Sequence, residues 1–115
     1  MITEDYCSYE VAKLLKEKGF EQYKCQHSYD SKGVFKWSDN LDPYEYSAPT
    51  LQMAMKWLRK VHNIHIWVEP NHDKEGLYNA HVKVGWWSNN WAGISYNTYE
   101  KAVEAAIKYC LENLI

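Results

Sequence analysis

The chain has no CxxC pair, no long apolar run and no excess of basic charge, and each absence removes a class of function. Its three cysteines, Cys7, Cys25 and Cys110, lie far apart. Scattered thiols in odd number, without metal-type spacing, read as reduced cysteines of a cytosolic protein rather than as a disulfide framework or a zinc ribbon. Cys7 and Cys110 fall on apolar helix positions, where a thiol serves as a small buried hydrophobe. No stretch offers the ~20 apolar residues that a bilayer crossing needs. The opening "MITEDYCSYE" is acidic and lacks the apolar centre of a secretory leader. The expectation is a soluble, cytoplasmic chain with no membrane partner. The formal net charge is -2, whereas general polyanion binders carry a basic excess that displaces counterions. GxSxG, HExxH and P-loop patterns are missing, and no paired acid and base can be placed among the carboxylates. The chain therefore reads as a non-enzyme without a cofactor.

What the sequence has is aromatic rings, 16% of 115 residues. Rings in that number exceed what a small core absorbs, so some stay partly exposed. The length suits a single domain, residues 1–115, that buries its own core.

Periodicity gives the elements. A first helix is expected from Ser8 to Lys18, capped by Ser8, with Glu10 in the first turn. Cys7, Val11, Leu14, Leu15 and Lys18 mark one face, Gly19 takes the left-handed C-terminal position and Phe20 folds back. "YKCQHSYD" and "VFKWSD" then flank Asp30-Ser31-Lys32-Gly33 as a hairpin, and "NLDPYEYSAPT" reads as a loop. A second helix is expected over Thr50 to Val61, with Leu51, Ala54, Leu58 and Val61 as its buried stripe. "NIHIWVEP" alternates as a strand, "NHDKEG" turns, and "LYNAHVKVGWW" is a longer strand. "SNN" turns the chain again, and "WAGISY" forms a third strand. The last helix, capped at Asn97 or Thr98, carries Val103, Ala106, Ile107, Cys110, Leu111 and Leu114 at unbroken helical spacing, with Glu100 placed for a capping box from Asn97. The order α-ββ-α-βββ-α, with strands in hairpins, predicts an α+β fold with a mainly antiparallel sheet and helices mostly on one face. "KWSDN" (Lys36 to Asn40) and "WWSNN" (Trp86 to Asn90) each close a helix-plus-hairpin run, a faint echo of α-ββ duplication over 8–40 and 50–90.

"SYEVAKLLKEKGF" (Ser8 to Phe20), "APTLQMAMKWLRKVHNIHI" (Ala48 to Ile66) and "YNTYEKAVEAAIKYCLENLI" (Tyr96 to Ile115) resemble three blocks of a family of small hypothetical proteins of gut Bacteroides-type bacteria and their phages or mobile elements. The blocks cover just under half the chain. The resemblance implies a bacterial or phage cytoplasm. It transfers no catalytic residue, because that family carries no assigned activity.

Several residue groups are candidates for chemistry. His62 and His65 in "HNIH", with His72 and His81, are imidazoles of the kind zinc takes. His65 and His81 would meet if their strands were neighbours, but a structural zinc site needs four ligands, and capping or solvated histidines are the plainer reading. Cys25 and His27 share a strand face, as a nucleophile and base could, without a visible third group to orient them. Residues Thr50 to Ile115 follow the α-β-β-β-α order of double-stranded-RNA-binding domains, a nucleic-acid alternative. That domain grips phosphate with lysines at its last helix, where this chain has Glu100 and Glu104 around Lys101.

The sharpest candidate is "GWWSNNWAGISY". Consecutive strand residues face opposite sides of a sheet, so Trp86 and Trp87 cannot both enter one core. With helices on one face, at least one indole is left outside, and Trp91, Trp37 and Trp67 can join it on the open face, with Tyr29 nearby. Exposed Trp and Tyr are interface residues, and an apolar patch of that size favours association. A protein partner or a second copy of the chain is the expected ligand. Stacking on sugar rings beside Asn89 and Asn90 is a lesser option in a cytosolic protein.

Overall fold

The computed structural model describes residues 2–22, 26–37, 43–86, 90–92 and 95–115, with residues 90–92 described for the backbone alone. The fold is α+β: the described residues form three helices and two antiparallel sheets of three strands each. The chain forms two compact units, Met1–Ala54 and Met55–Ile115.

The first unit opens with α1 (Tyr9–Glu17). The Ser8 hydroxyl accepts from the Val11 N–H at 3.2 Å, satisfying one of the donors that a helix start leaves unpaired. Gly19 adopts φ 94°, and the Phe20 N–H returns to the Leu15 carbonyl at 2.9 Å, which closes the helix end as expected. Cys7, Val11, Ala12, Leu15 and Phe20 are buried. Strands β1 (His27–Tyr29), β2 (Phe35–Trp37) and β3 (Tyr46–Ser47) form a sheet in the order β2-β1-β3. In the β1–β2 turn, Asp30 Oδ1 accepts from the N–H groups of Lys32 and Val34, at 2.8 and 3.0 Å. Gly33 takes φ 84° there. A Cβ at this position would stand 3.1 Å from the Tyr9 ring, so glycine serves both the turn and the close approach.

Strand β3 replaces the loop expected between Asn40 and Thr50. It has two residues between Pro43 and Pro49 and pairs with β1 rather than with its sequence neighbour β2. The observed order is therefore α-βββ-α-βββ-α.

Helix α2 (Leu51–His62) carries the chain from the first unit into the second. Thr50 Oγ1 accepts from the Met53 N–H at 3.1 Å. Leu51, Ala54 and Leu58 are buried as the spacing predicts, but Val61 is 60% exposed. Val61 stands in the last turn, just before Asn63 reverses the chain with φ 55°.

In the second unit β4 (Ile64–Pro70), β5 (Tyr78–Val84) and β6 (Asn90–Ala92) form an antiparallel meander, and α3 (Tyr99–Asn113) packs on β4 and β5. Ala102, Val103, Ala106, Ile107, Cys110 and Leu111 of α3 are buried, as are Ile64, Ala80 and Val82 of the sheet. The cap is Thr98, whose hydroxyl accepts from the Lys101 N–H at 3.0 Å. That places Lys101 where a capping box needs Glu or Gln, so the box expected from Asn97 and Glu100 does not form. Leu114 lies past the helix end and is exposed.

Both units place a helix before a hairpin, β1–β2 and β4–β5. The third strand then joins different partners, β3 on β1 and β6 on β5. No helix among the described residues is long and apolar enough to cross a membrane.

Candidate interaction surface

Alternation along β4 and β5 builds the surface. Register pairs Ile64 with Val84, Ile66 with Val82 and Val68 with Ala80. Ile64, Ala80 and Val82 are fully buried in the unit to which α3 contributes its own buried stripe. The intervening pairs, His65 with Lys83, Trp67 with His81 and Glu69 with Asn79, take the opposite face by the period of two.

On that face the Trp67 indole and the His81 imidazole stack, with centroids 5.1 Å apart and planes 15° from parallel. His81 Nε2 lies 2.9 Å from Glu69 Oε1, so the carboxylate orients the imidazole that the indole covers. At one end, His65 Nε2 lies 3.3 Å from Asn63 Oδ1, and its ring is 6.0 Å from that of Trp86. At the other, Asn71 Nδ2 donates to Asn79 Oδ1 and to Ser95 Oγ at 3.3 and 3.0 Å, and Ser95 Oγ donates to Asn79 Oδ1 at 2.8 Å. The arrangement is an apolar centre with a polar rim. Trp67 is 41% exposed and Trp86 74% exposed.

The expected tryptophans are not gathered in one sheet. Trp67 and Trp86 belong to the second unit. Trp37, 61% exposed, lies on β2 of the first unit, so it does not extend the strip through a shared sheet. Trp86 reaches the surface by a route other than strand alternation. Strand β5 ends at Val84, and Gly85 turns the chain with φ 62°. Trp87 lies outside the described residues. Trp91 stands opposite Val82 in the β5–β6 register.

The first unit has its own aromatic group. His27 stacks on Phe35 at 4.9 Å and 4°, meets Trp37 edge-on at 4.8 Å and is tilted to Tyr6 at 4.6 Å. Its buried Nδ1 has no hydrogen-bond partner among the described residues. Tyr29 belongs to this group, in a different sheet from Trp67: it pairs with Phe35 and Tyr46, and its hydroxyl donates to the Cys7 carbonyl at 2.6 Å. Of the thiol and imidazole considered together, Cys25 lies outside the described residues, and the His27 ring is enclosed by aromatic side chains.

His65 and His81 sit on neighbouring strands and one face, but they are not opposite one another. His65 faces Lys83 and His81 faces Trp67. Among the described residues no group of three or more His, Cys, Asp or Glu side chains could hold a metal ion. Cys110 is buried on α3, and desolvation pushes its thiol up to about 12, far from a reactive thiolate. Sequence reading missed Glu69 and the Asn71–Asn79–Ser95 network. The signal was present: once β4 and β5 pair in register, Glu69, Asn79 and His81 share the face of Trp67.

No family model, curated protein or solved structure matches this chain.

Proposed function

We propose that the chain is a non-enzymatic protein-interaction module that works through the face formed by His65, Trp67, Glu69, His81 and Trp86. One observation carries the reading: two indoles, Trp67 and Trp86, stand exposed on the sheet face away from the buried strand positions, within a rim of hydrogen-bonding side chains. Such a patch loses water when a partner covers it, while the rim fixes orientation. The sequence resemblance supports a bacterial or phage cytoplasm as its setting. The partner is another protein or a second copy of the chain.

The order α2-β4-β5-β6-α3 favours a nucleic-acid-binding module as the second reading. Against it, the first turns of α3 carry Glu100 and Glu104 beside Lys101, and like charge repels phosphate there.

The test is light scattering on the eluting complex, for the purified chain alone and after mixing with bacterial lysate. The reading predicts a complex that nuclease leaves intact and that Trp86→Ala loses while keeping the wild-type circular dichroism. Wild type and variant eluting alike at every concentration would contradict it.

A further inference from the structure

Strand β4 stands at one edge of the second sheet. Among the described residues it pairs with β5 alone. Its backbone polarity can be read from its neighbours. Tyr78 and Tyr96 exchange both backbone hydrogen bonds, at 2.8 and 2.9 Å, so the polar groups of Tyr78 point away from β4. In an antiparallel ladder this direction alternates. Asn79, His81 and Lys83 therefore bond back to Glu69, Trp67 and His65, in line with the Gly85 N–H donating to the Asn63 carbonyl at 2.8 Å. The N–H and C=O groups of Ile64, Ile66 and Val68 are left facing that edge. Pro70, in phase with them, has no N–H to offer and closes the edge at one end. Ile66 and Val68 keep partial exposure, while their register partners on central β5, Val82 and Ala80, are 1% and 0% exposed. Solvent thus reaches the sheet from the β4 side.

We propose that two copies of this chain pair antiparallel along β4, with Trp67 opposite Trp67 of the second copy, to form one continuous sheet. The strand is complementary to itself in that register. His65 falls opposite Glu69 of the second copy, and Glu69 opposite His65, so an imidazole faces a carboxylate on either side of the two-fold axis. The Glu69 carboxylate offers two oxygens, of which His81 takes Oε1. Ile66 falls opposite Val68, and these are the residues whose polar groups face the edge, so they exchange both backbone bonds. Trp67 and the His65–Glu69 pairs then occupy non-hydrogen-bonded positions, where Cα atoms approach to about 4.5 Å and side chains meet most closely. Shifting the centre to Ile66 would set His65 against Trp67 and Glu69 against Asn63, which loses both pairs. The contact is isologous, as closed dimers require, and an exposed edge strand of this length is a ready template for it. It leaves Trp86 uncovered, so it goes beyond the partner-binding face and joins two such faces.

The experiment is molar mass by light scattering over a concentration series, with circular dichroism as the fold control. Val68→Pro removes an edge-facing N–H that the β4–β5 ladder does not use. Glu69→Lys sets an ammonium against His65 of the second copy. The double variant His65→Glu with Glu69→Lys sets a carboxylate against an ammonium in the same register. The expected result is a wild-type dimer, at least about tenfold weaker dimerisation in folded Val68→Pro and Glu69→Lys, and recovery in the double variant. A wild type that stays monomeric throughout would overturn the proposal. So would a dimer that survives Val68→Pro and is lost on Trp86→Ala, which would place self-association on the open face instead.

Discussion

The imidazole of His81 lies flat on the indole of Trp67, and the same imidazole is held at 2.9 Å by Glu69. A stacked ring fixed by a carboxylate keeps Trp67 in one orientation at the centre of the exposed face. The face is therefore preorganised, and binding there costs little side-chain ordering.

Trp67 and Trp86 should separate folding from binding. Trp67→Ala loses the stack and is expected to cost about 1 kcal/mol of stability, read from urea unfolding, with Trp67→Phe regaining part of it. Trp86→Ala should change stability by no more than about 0.5 kcal/mol, because Trp86 is largely solvated.

Two glycines test the turn geometry. Gly33 and Gly76 both hold φ 84°, but only Gly33 faces a ring, with Tyr9 3.1 Å from its absent Cβ. Gly76→Ala should cost about 1 kcal/mol through the left-handed backbone alone. Gly33→Ala should cost more, because the Tyr9 ring must also move. Equal thermal shifts for the two variants would contradict this.

Cys110 should be inert in the folded chain. Its thiol is pushed up to about 12 by burial, from an ordinary value of 9.0. Ellman-type reagents at pH 8 should label it only after denaturant is added. In the unfolded chain the thiol ionises at lower pH than in the fold. Its contribution to stability is therefore complete below about pH 9 and is lost as pH rises toward about 12. Cys110→Ala should flatten that alkaline decline.

Asp30 works in the opposite direction. Its carboxylate accepts the Val34 N–H above all, then that of Lys32, with Lys36 and Lys32 charges adding to the effect, and these hold it below its ordinary 3.8. The turn is favoured above that pH and weakens as pH falls through the lower folded value. Asp30→Asn should reduce the acid sensitivity of the hairpin amides in hydrogen exchange.

Much of the fold was legible because its signals are local. Ser8, Gly19 and Phe20 delimit α1 by capping chemistry, and the stripe from Val103 to Leu111 fixes the buried face of α3. Strand β3 was not legible. Tyr46 and Ser47 are too few to show a period, and their pairing with β1 is a tertiary choice. Val61 fits the stripe of α2 by angle yet is exposed, because periodicity gives a direction and not a neighbour. The surface was legible in part. His65, Trp67 and His81 were placed on one face by alternation, but the stack of Trp67 on His81 depends on register, which no single strand contains. Alternation failed to place Trp86, because Gly85 ends the strand first.

The most direct measurement is hydroxyl-radical footprinting of Trp86 in living cells that produce the chain and in dilute purified protein, with exposed Tyr44 as the internal reference. An interaction surface predicts that Trp86 oxidises freely in the dilute protein and several-fold more slowly, relative to Tyr44, in the cell. The same ratio in both settings would mean that nothing covers the indole, and would contradict the assignment of this face to partner binding.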